Sequence, residues 1–221
     1  VPMHRTDDGC RSLARANPKE RESDMATWIA TTQDSKLADR SAEITATGAT
    51  AALDLALDGS EYQALRGFGG CFNELGWLPL QTVTEAERDQ IIKELFDPEE
   101  MNFTFNRAPV GANDFADHWY SYDEVEGDYD MEHFSVERDE ETLIPYIHRA
   151  QEWQPDMKLF SSPWSPPTWM KRPKAYNYGR LVQTPENLKA YAKYLARYVQ
   201  EYAKHGIEVT QLHVQNEVFA D

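Results

Sequence analysis

Residues 184–217 read TPENLKAYAKYLARYVQEYAKHGIEVTQLHVQNE. They decide the fold class because a helix and a strand stand there in immediate succession. Thr184-Pro185 is an N-cap followed by proline at the first helical position, where the missing N–H costs nothing. Lys204-His205-Gly206 closes the helix with basic residues near its carbonyl end and a glycine suited to the left-handed C′ position. Between these ends Leu188, Tyr191, Leu195, Tyr198 and Tyr202 recur by three and four, which predicts one apolar stripe lying against a sheet. Ile207 to Val214 then reads as a strand, and Gln215-Asn216-Glu217 follows its C-terminal end.

The same grammar runs upstream from there. Gly67 to Phe72 reads as a first strand and is followed by a helix opened by the capping box Thr84-Glu85-Ala86-Glu87. That helix carries Ile91, Ile92 and Leu95 inward and stops at Asp97-Pro98. Phe103 to Val110 is predicted as the second strand, Asp139 to Gln154 as a helix, and Met157 to Ser161 as the third strand. Between them, residues 121–141 form the most acidic stretch and read as a solvated loop, lacking the ligand order of a calcium-binding EF-hand. Four strands and three helices in alternation are the signature of a parallel α/β sheet. Two architectures fit: the N-terminal half of a (β/α)₈ barrel, strands 1–4, or an open four-stranded sheet.

Before Arg66 the pattern differs. Residues 1–24 mix charges without apolar periodicity and read as a disordered leader. Residues 25–66 hold short β-prone segments such as 43–47 and 52–58, and read as a small antiparallel β element. The division predicted is therefore 1–24, 25–66 and 67–221.

Of the 221 residues, 41% are hydrophobic and 27% charged, ordinary for a globular chain, and the net charge is −16. That charge repels phosphate backbones, so nucleic acid is excluded as a partner. No run reaches the roughly 18 apolar residues of a membrane span, and the N-terminal stretch has no apolar signal core. Cys10 and Cys71 sit in unlike surroundings and predict no disulfide framework. The six histidines show no ligand spacing, so no metal or cofactor is expected. Compartment and oligomeric state leave no mark on the sequence.

In parallel α/β folds the chemistry sits at the C-terminal ends of the strands. All four ends here carry polar or aromatic groups: Gly69-Gly70-Cys71-Phe72-Asn73-Glu74, then Arg107 through Asn113-Asp114-Phe115, then Ser162-Pro163-Trp164, then Gln215-Asn216-Glu217. Trp119, Tyr120 and Trp169 are further candidates to line a cleft.

Gly67-Phe68-Gly69-Gly70, the Arg107 to Asp114-Phe115 spacing, the block from Ser161 to Lys171 (SSPWSPPTWMK) and Gln215-Asn216-Glu217 together resemble glycoside hydrolase family 30, the glucosylceramidase-like family. The resemblance runs from about Gly67 to Glu217 and is carried most specifically by the Ser-Pro-Trp block. It implies a retaining β-glycosidase, with a carbohydrate substrate, on a (β/α)₈ barrel flanked by a β-sandwich to which the N-terminal strands contribute. It implies Glu217 as general acid/base and Asn216 as the partner of the sugar 2-hydroxyl. Asp114 and Trp164 then contact the sugar, and Arg107 lies beside the nucleophile. His213 is expected near Glu217 as a supporting group or, more simply, as a core histidine. Two departures bear on the substrate: Val218 stands where many members have proline, and Cys71-Phe72-Asn73-Glu74 replaces a small residue and a Thr-Asp pair.

Retaining hydrolysis needs two carboxyl groups about 5–5.5 Å apart. The family's nucleophile belongs to the end of strand seven, which these residues do not reach, and Glu74 is the remaining strand-end glutamate. The expectation is a chain truncated before its nucleophile and inactive by itself. The alternative is a non-catalytic carbohydrate-binding remnant.

Overall fold

The computed structural model describes residues 26–45 and 59–218. The predicted leader, the segment 52–58 and the end of the segment 43–47 lie outside them. Two compact units divide the chain, Val1–Tyr62 and Gln63–Asp221. In the first, β1 (Ile29–Ala30) pairs antiparallel with β2 (Ala38–Asp39).

The second unit follows the order α1 (Glu74–Leu80), α2 (Glu85–Phe96), β3 (Phe105–Val110), α3 (Glu137–Glu141), α4 (Leu143–Gln151), β4 (Lys158–Pro163), β5 (Lys171–Arg172), β6 (Arg180–Leu181), α5 (Pro185–Lys204) and β7 (Val209–Leu212). The strands β3, β4 and β7 form a parallel sheet in that order. β5 and β6 make a separate antiparallel pair.

The predicted first strand is reduced to a single parallel bridge, Cys71 to Arg107. Phe68 and Gly70 still offer their carbonyls to Thr104 and Arg107 at 2.9 Å each, but the Gly70 N–H donates to the side-chain oxygen of Asn106 at 3.0 Å. That side-chain acceptor interrupts the ladder. Gly69 makes the approach possible: a Cβ there would stand 2.1 Å from the Phe105 carbonyl oxygen, so only glycine brings this backbone so near β3.

Both long helices start where their caps predict. Thr84 and Glu87 complete a reciprocal capping box on α2, and the Thr184 side chain accepts from the Asn187 N–H on α5. Their inward faces follow expectation except at one position each. On α2, Ile92 and Phe96 are buried while Ile91 is exposed; on α5, Ala190, Tyr194, Leu195, Tyr198 and Tyr202 are buried while Leu188 is exposed. The predicted helix 139–154 is split at Thr142 into α3 and α4.

The core lies between the sheet and its helices. Ala108, Val110 and Leu159 meet Leu143, Ile147, Tyr194 and Tyr198, and each large side chain fully buried there stabilises the fold by about 1.5–3 kcal/mol. On the opposite face, Phe105, Arg107 and His213 each approach the ring of Phe160.

The acidic stretch is not uniformly solvated, which corrects the loop reading. Asp123 and Asp139 are buried. Asp139 accepts hydrogen bonds from the hydroxyls of Tyr120 at 2.8 Å, Tyr122 at 2.6 Å and Tyr202 at 2.6 Å. Three donors from two separated segments justify a carboxyl with no access to water. They also pin the loop onto α5.

Candidate functional site

The site begins with the tail of β7 tied to the tail of β4. The Asn216 N–H donates to the Pro163 carbonyl at 2.8 Å, and Gln215 Nε2 donates to the Trp164 carbonyl at 2.8 Å. β3 contributes Arg107, whose Nε donates to Ser162 Oγ at 2.9 Å and whose Nη2 donates to Asn216 Oδ1 at 2.6 Å. The guanidinium also lies 4.3 Å from the centre of the Trp164 ring, a cation–π arrangement. One arginine of β3 thus fixes groups from the ends of β4 and β7.

With its oxygen taken by Arg107, the Asn216 side chain is left with an amide NH₂ to offer a ligand hydroxyl. Glu217 follows it, exposed, with a left-handed backbone at φ 47°. That conformation costs a residue with a side chain about 1–2 kcal/mol, and such strain is concentrated at functional positions.

Asp114, Trp164, Asn216 and Glu217 all line one cleft of about 730 Å³, within the range of about 300–1,000 Å³ that accepts drug-sized ligands. Four of the sequence-predicted site residues therefore meet. Arg107 stands behind them as a support. His213 departs from the core-histidine expectation: it is exposed, with its ring 5.1 Å from that of Phe160. Of the aromatic candidates, Trp119 lines the cleft, Tyr120 is engaged with Asp139, and Trp169 is buried with its Nε1 donating to the Asp123 carbonyl.

Glu74 is spent elsewhere. It is buried, ion-paired with Arg138 at 2.9 Å, and accepts from the Asp117 N–H at 2.7 Å.

The sequence reading missed Lys171 and the segment between β5 and β6. Lys171 is buried, donates from Nζ to Ser165 Oγ at 3.0 Å and to the Tyr176 carbonyl at 2.7 Å, and lines the cleft. Burial lowers its pKa, partly offset by Glu124. The available signal was the basic cluster Lys171-Arg172-Pro173-Lys174, which begins on the last residue of the Ser-Pro-Trp block, in a chain of net charge −16. Burial also raises the pKa of the Cys71 thiol, against the pull of Arg107.

The glycosyl hydrolase family 30 TIM-barrel domain model matches residues 65–220. The crystal structure of SrfJ from Salmonella typhimurium superposes with a TM-score of 0.66 at 36% identity, covering 72% of this chain and 35% of that one. Lysosomal acid glucosylceramidase of Mus musculus is 27% identical over 162 residues, 71% of this chain and 32% of its own length. Endo-1,6-beta-D-glucanase of Neurospora crassa is 26% identical over 160 residues, 70% of this chain and 33% of its own length. The chain spans about a third of the length of the curated relatives it matches.

Proposed function

Because this chain belongs to glycosyl hydrolase family 30, we propose that it supplies the acid/base half of a retaining β-glycosidase. Residues 67–221 are the first half of a (β/α)₈ barrel, with the segment 67–72, β3, β4 and β7 as its first four strands. Residues 25–66 belong to a flanking β-sandwich, and 1–24 to a leader.

The observation that carries the reading is the convergence of Asp114, Trp164, Asn216 and Glu217 on one cleft, with Arg107 bonded to Asn216 behind them. Glu217 delivers its proton to the glycosidic oxygen as a carboxylate nucleophile attacks the anomeric carbon. The bond to the aglycone breaks and a glycosyl ester forms. Glu217, now ionised, takes a proton from the water that cleaves the ester, and is restored to its starting state. The Asn216 amide holds the sugar 2-hydroxyl, Asp114 accepts from other hydroxyls, and Trp164 contacts the same ring. The names of two relatives, a glucosylceramidase and an endo-1,6-β-D-glucanase, both contain a glucosyl group, which supports a β-glucoside as substrate.

The nucleophile is not Glu74, whose carboxylate is committed to Arg138. The 221-residue chain by itself is therefore expected not to turn over substrate. Incubation with p-nitrophenyl β-D-glucoside tests this: no p-nitrophenol is expected. Release abolished by Glu217→Gln would mean that both carboxylates reside within these residues.

A further inference from the structure

The cleft extends beyond the four strand-end residues to a second group of side chains that the proposed chemistry leaves unused. Trp119, from the loop after β3, stacks on Tyr176, from the segment between β5 and β6, with ring centroids 5.8 Å apart and planes 11° from parallel. Both line the cleft together with Tyr178. Trp119 is 38% exposed and Tyr178 is 67% exposed.

These rings are not loosely held. Lys171 Nζ grips the Tyr176 carbonyl at 2.7 Å and is itself buried and bonded to Ser165. At the other end of the same residue, the Glu124 carboxylate lies near the Tyr176 hydroxyl. Glu124 in turn accepts from the Thr168 N–H at 3.1 Å and from Ser121 Oγ at 2.6 Å. Tyr176 is thus held through its backbone by a buried lysine, and Trp119 is laid against that held partner.

An exposed aromatic surface costs free energy in water unless a ligand covers it, and rings already held in position lose little entropy when one does. The surroundings select the ligand. Asn177, Arg180 and Gln183 line the same cleft and bring amide and guanidinium groups to it. A pyranose, with an apolar face and an equatorial belt of hydroxyls, matches aromatic rings rimmed by such groups; an alkyl chain leaves them unpaired.

We propose that the Trp119–Tyr176 pair, held in place by Lys171, is the binding position for a second sugar, so that the aglycone of the preferred substrate is itself a sugar. This rests on the glycosidase reading and sharpens it to a specificity for saccharides over lipid glycosides. Lys171 acts here as a positioning residue.

Isothermal titration of the 221-residue chain tests it with three probes: methyl β-D-glucoside, the β-1,6-linked disaccharide gentiobiose, and octyl β-D-glucoside. Gentiobiose is expected to bind about tenfold more tightly than methyl β-D-glucoside, the gain of one added ring stack. Trp119→Ala is expected to bring that ratio close to one, while Trp119→Phe, which keeps a ring, preserves most of it. Retention of the wild-type circular dichroism spectrum checks that each variant is folded. A ratio unmoved by Trp119→Ala, with methyl β-D-glucoside binding still dependent on Asn216, overturns the second-sugar position alone. A larger gain for octyl β-D-glucoside that vanishes in Trp119→Ala overturns it in favour of a lipid chain. Absence of methyl β-D-glucoside binding in the wild-type chain overturns the glycosidase reading together with it.

Discussion

Replacing Asp139 with asparagine should change how stability depends on pH. The Asp139 carboxyl has no access to water, and burial pushes its pKa from the ordinary 3.8 up to about 6, assisted by the charge of Glu74 and opposed by the hydroxyls of Tyr122, Tyr202 and Tyr120. Since the folded value lies above the unfolded one, the fold holds the proton more tightly than the unfolded chain does. The stabilisation is fully present below about pH 4 and is lost as pH rises through about 6. A gap of about two pH units corresponds to about 3 kcal/mol. Asparagine keeps the shape and cannot titrate. The stability of the wild-type chain minus that of Asp139→Asn should therefore fall by about 3 kcal/mol between pH 4 and pH 7. Urea unfolding followed by far-ultraviolet circular dichroism at several pH values in that window measures it. A difference that stays constant, or that grows with pH, would refute the reasoning, because it would mean that the three tyrosines outweigh burial and hold the carboxylate ionised.

Three further outcomes follow from individual contacts. Gly69→Ala puts a Cβ about 2 Å from the Phe105 carbonyl oxygen, where the 2.1 Å approach is backbone on both sides, and should cost about 3 kcal/mol of unfolding free energy in urea. Thr84→Ala removes one half of the α2 capping box and should cost about 1 kcal/mol in the same assay. Arg107→Met takes the donor from Asn216 Oδ1 and the cation from the Trp164 ring, and should weaken binding of p-nitrophenyl β-D-glucoside roughly tenfold in a calorimetric titration.

What could be read from the sequence was local in cause. The starts of α2 and α5 are set by Thr84 with Glu87 and by Thr184 with Pro185, groups within one turn of each other. The strand-end positions of Asp114, Trp164, Asn216 and Glu217 followed from the alternation of strands and helices, together with the family resemblance. What escaped depends on partners distant in sequence. Asp139 looked like one more charge in an acidic loop because Tyr202, which helps bury it, lies 63 positions away. On α5 only Leu188 departs from the predicted stripe: Leu195, Tyr198 and Tyr202 are buried, the last two bonded to Ser161 and Asp139, and Tyr191 packs against the core. The first strand was over-read because the pattern gives no warning that the Asn106 side chain takes the Gly70 N–H. Lys171 was missed because a lysine between methionine and arginine reads as surface until its carbonyl and hydroxyl partners are seen.

The central claim is that the ends of β3, β4 and β7 build the acid/base half of a glycoside site. The most direct test is titration of the 221-residue chain and of its Asn216→Ala and Trp164→Ala variants with p-nitrophenyl β-D-glucoside, following binding by calorimetry and p-nitrophenol by absorbance. The account predicts saturable binding to the wild-type chain, weakened about tenfold or more in each variant, with no release of p-nitrophenol. Binding that is absent, or that is indifferent to both substitutions, would contradict it.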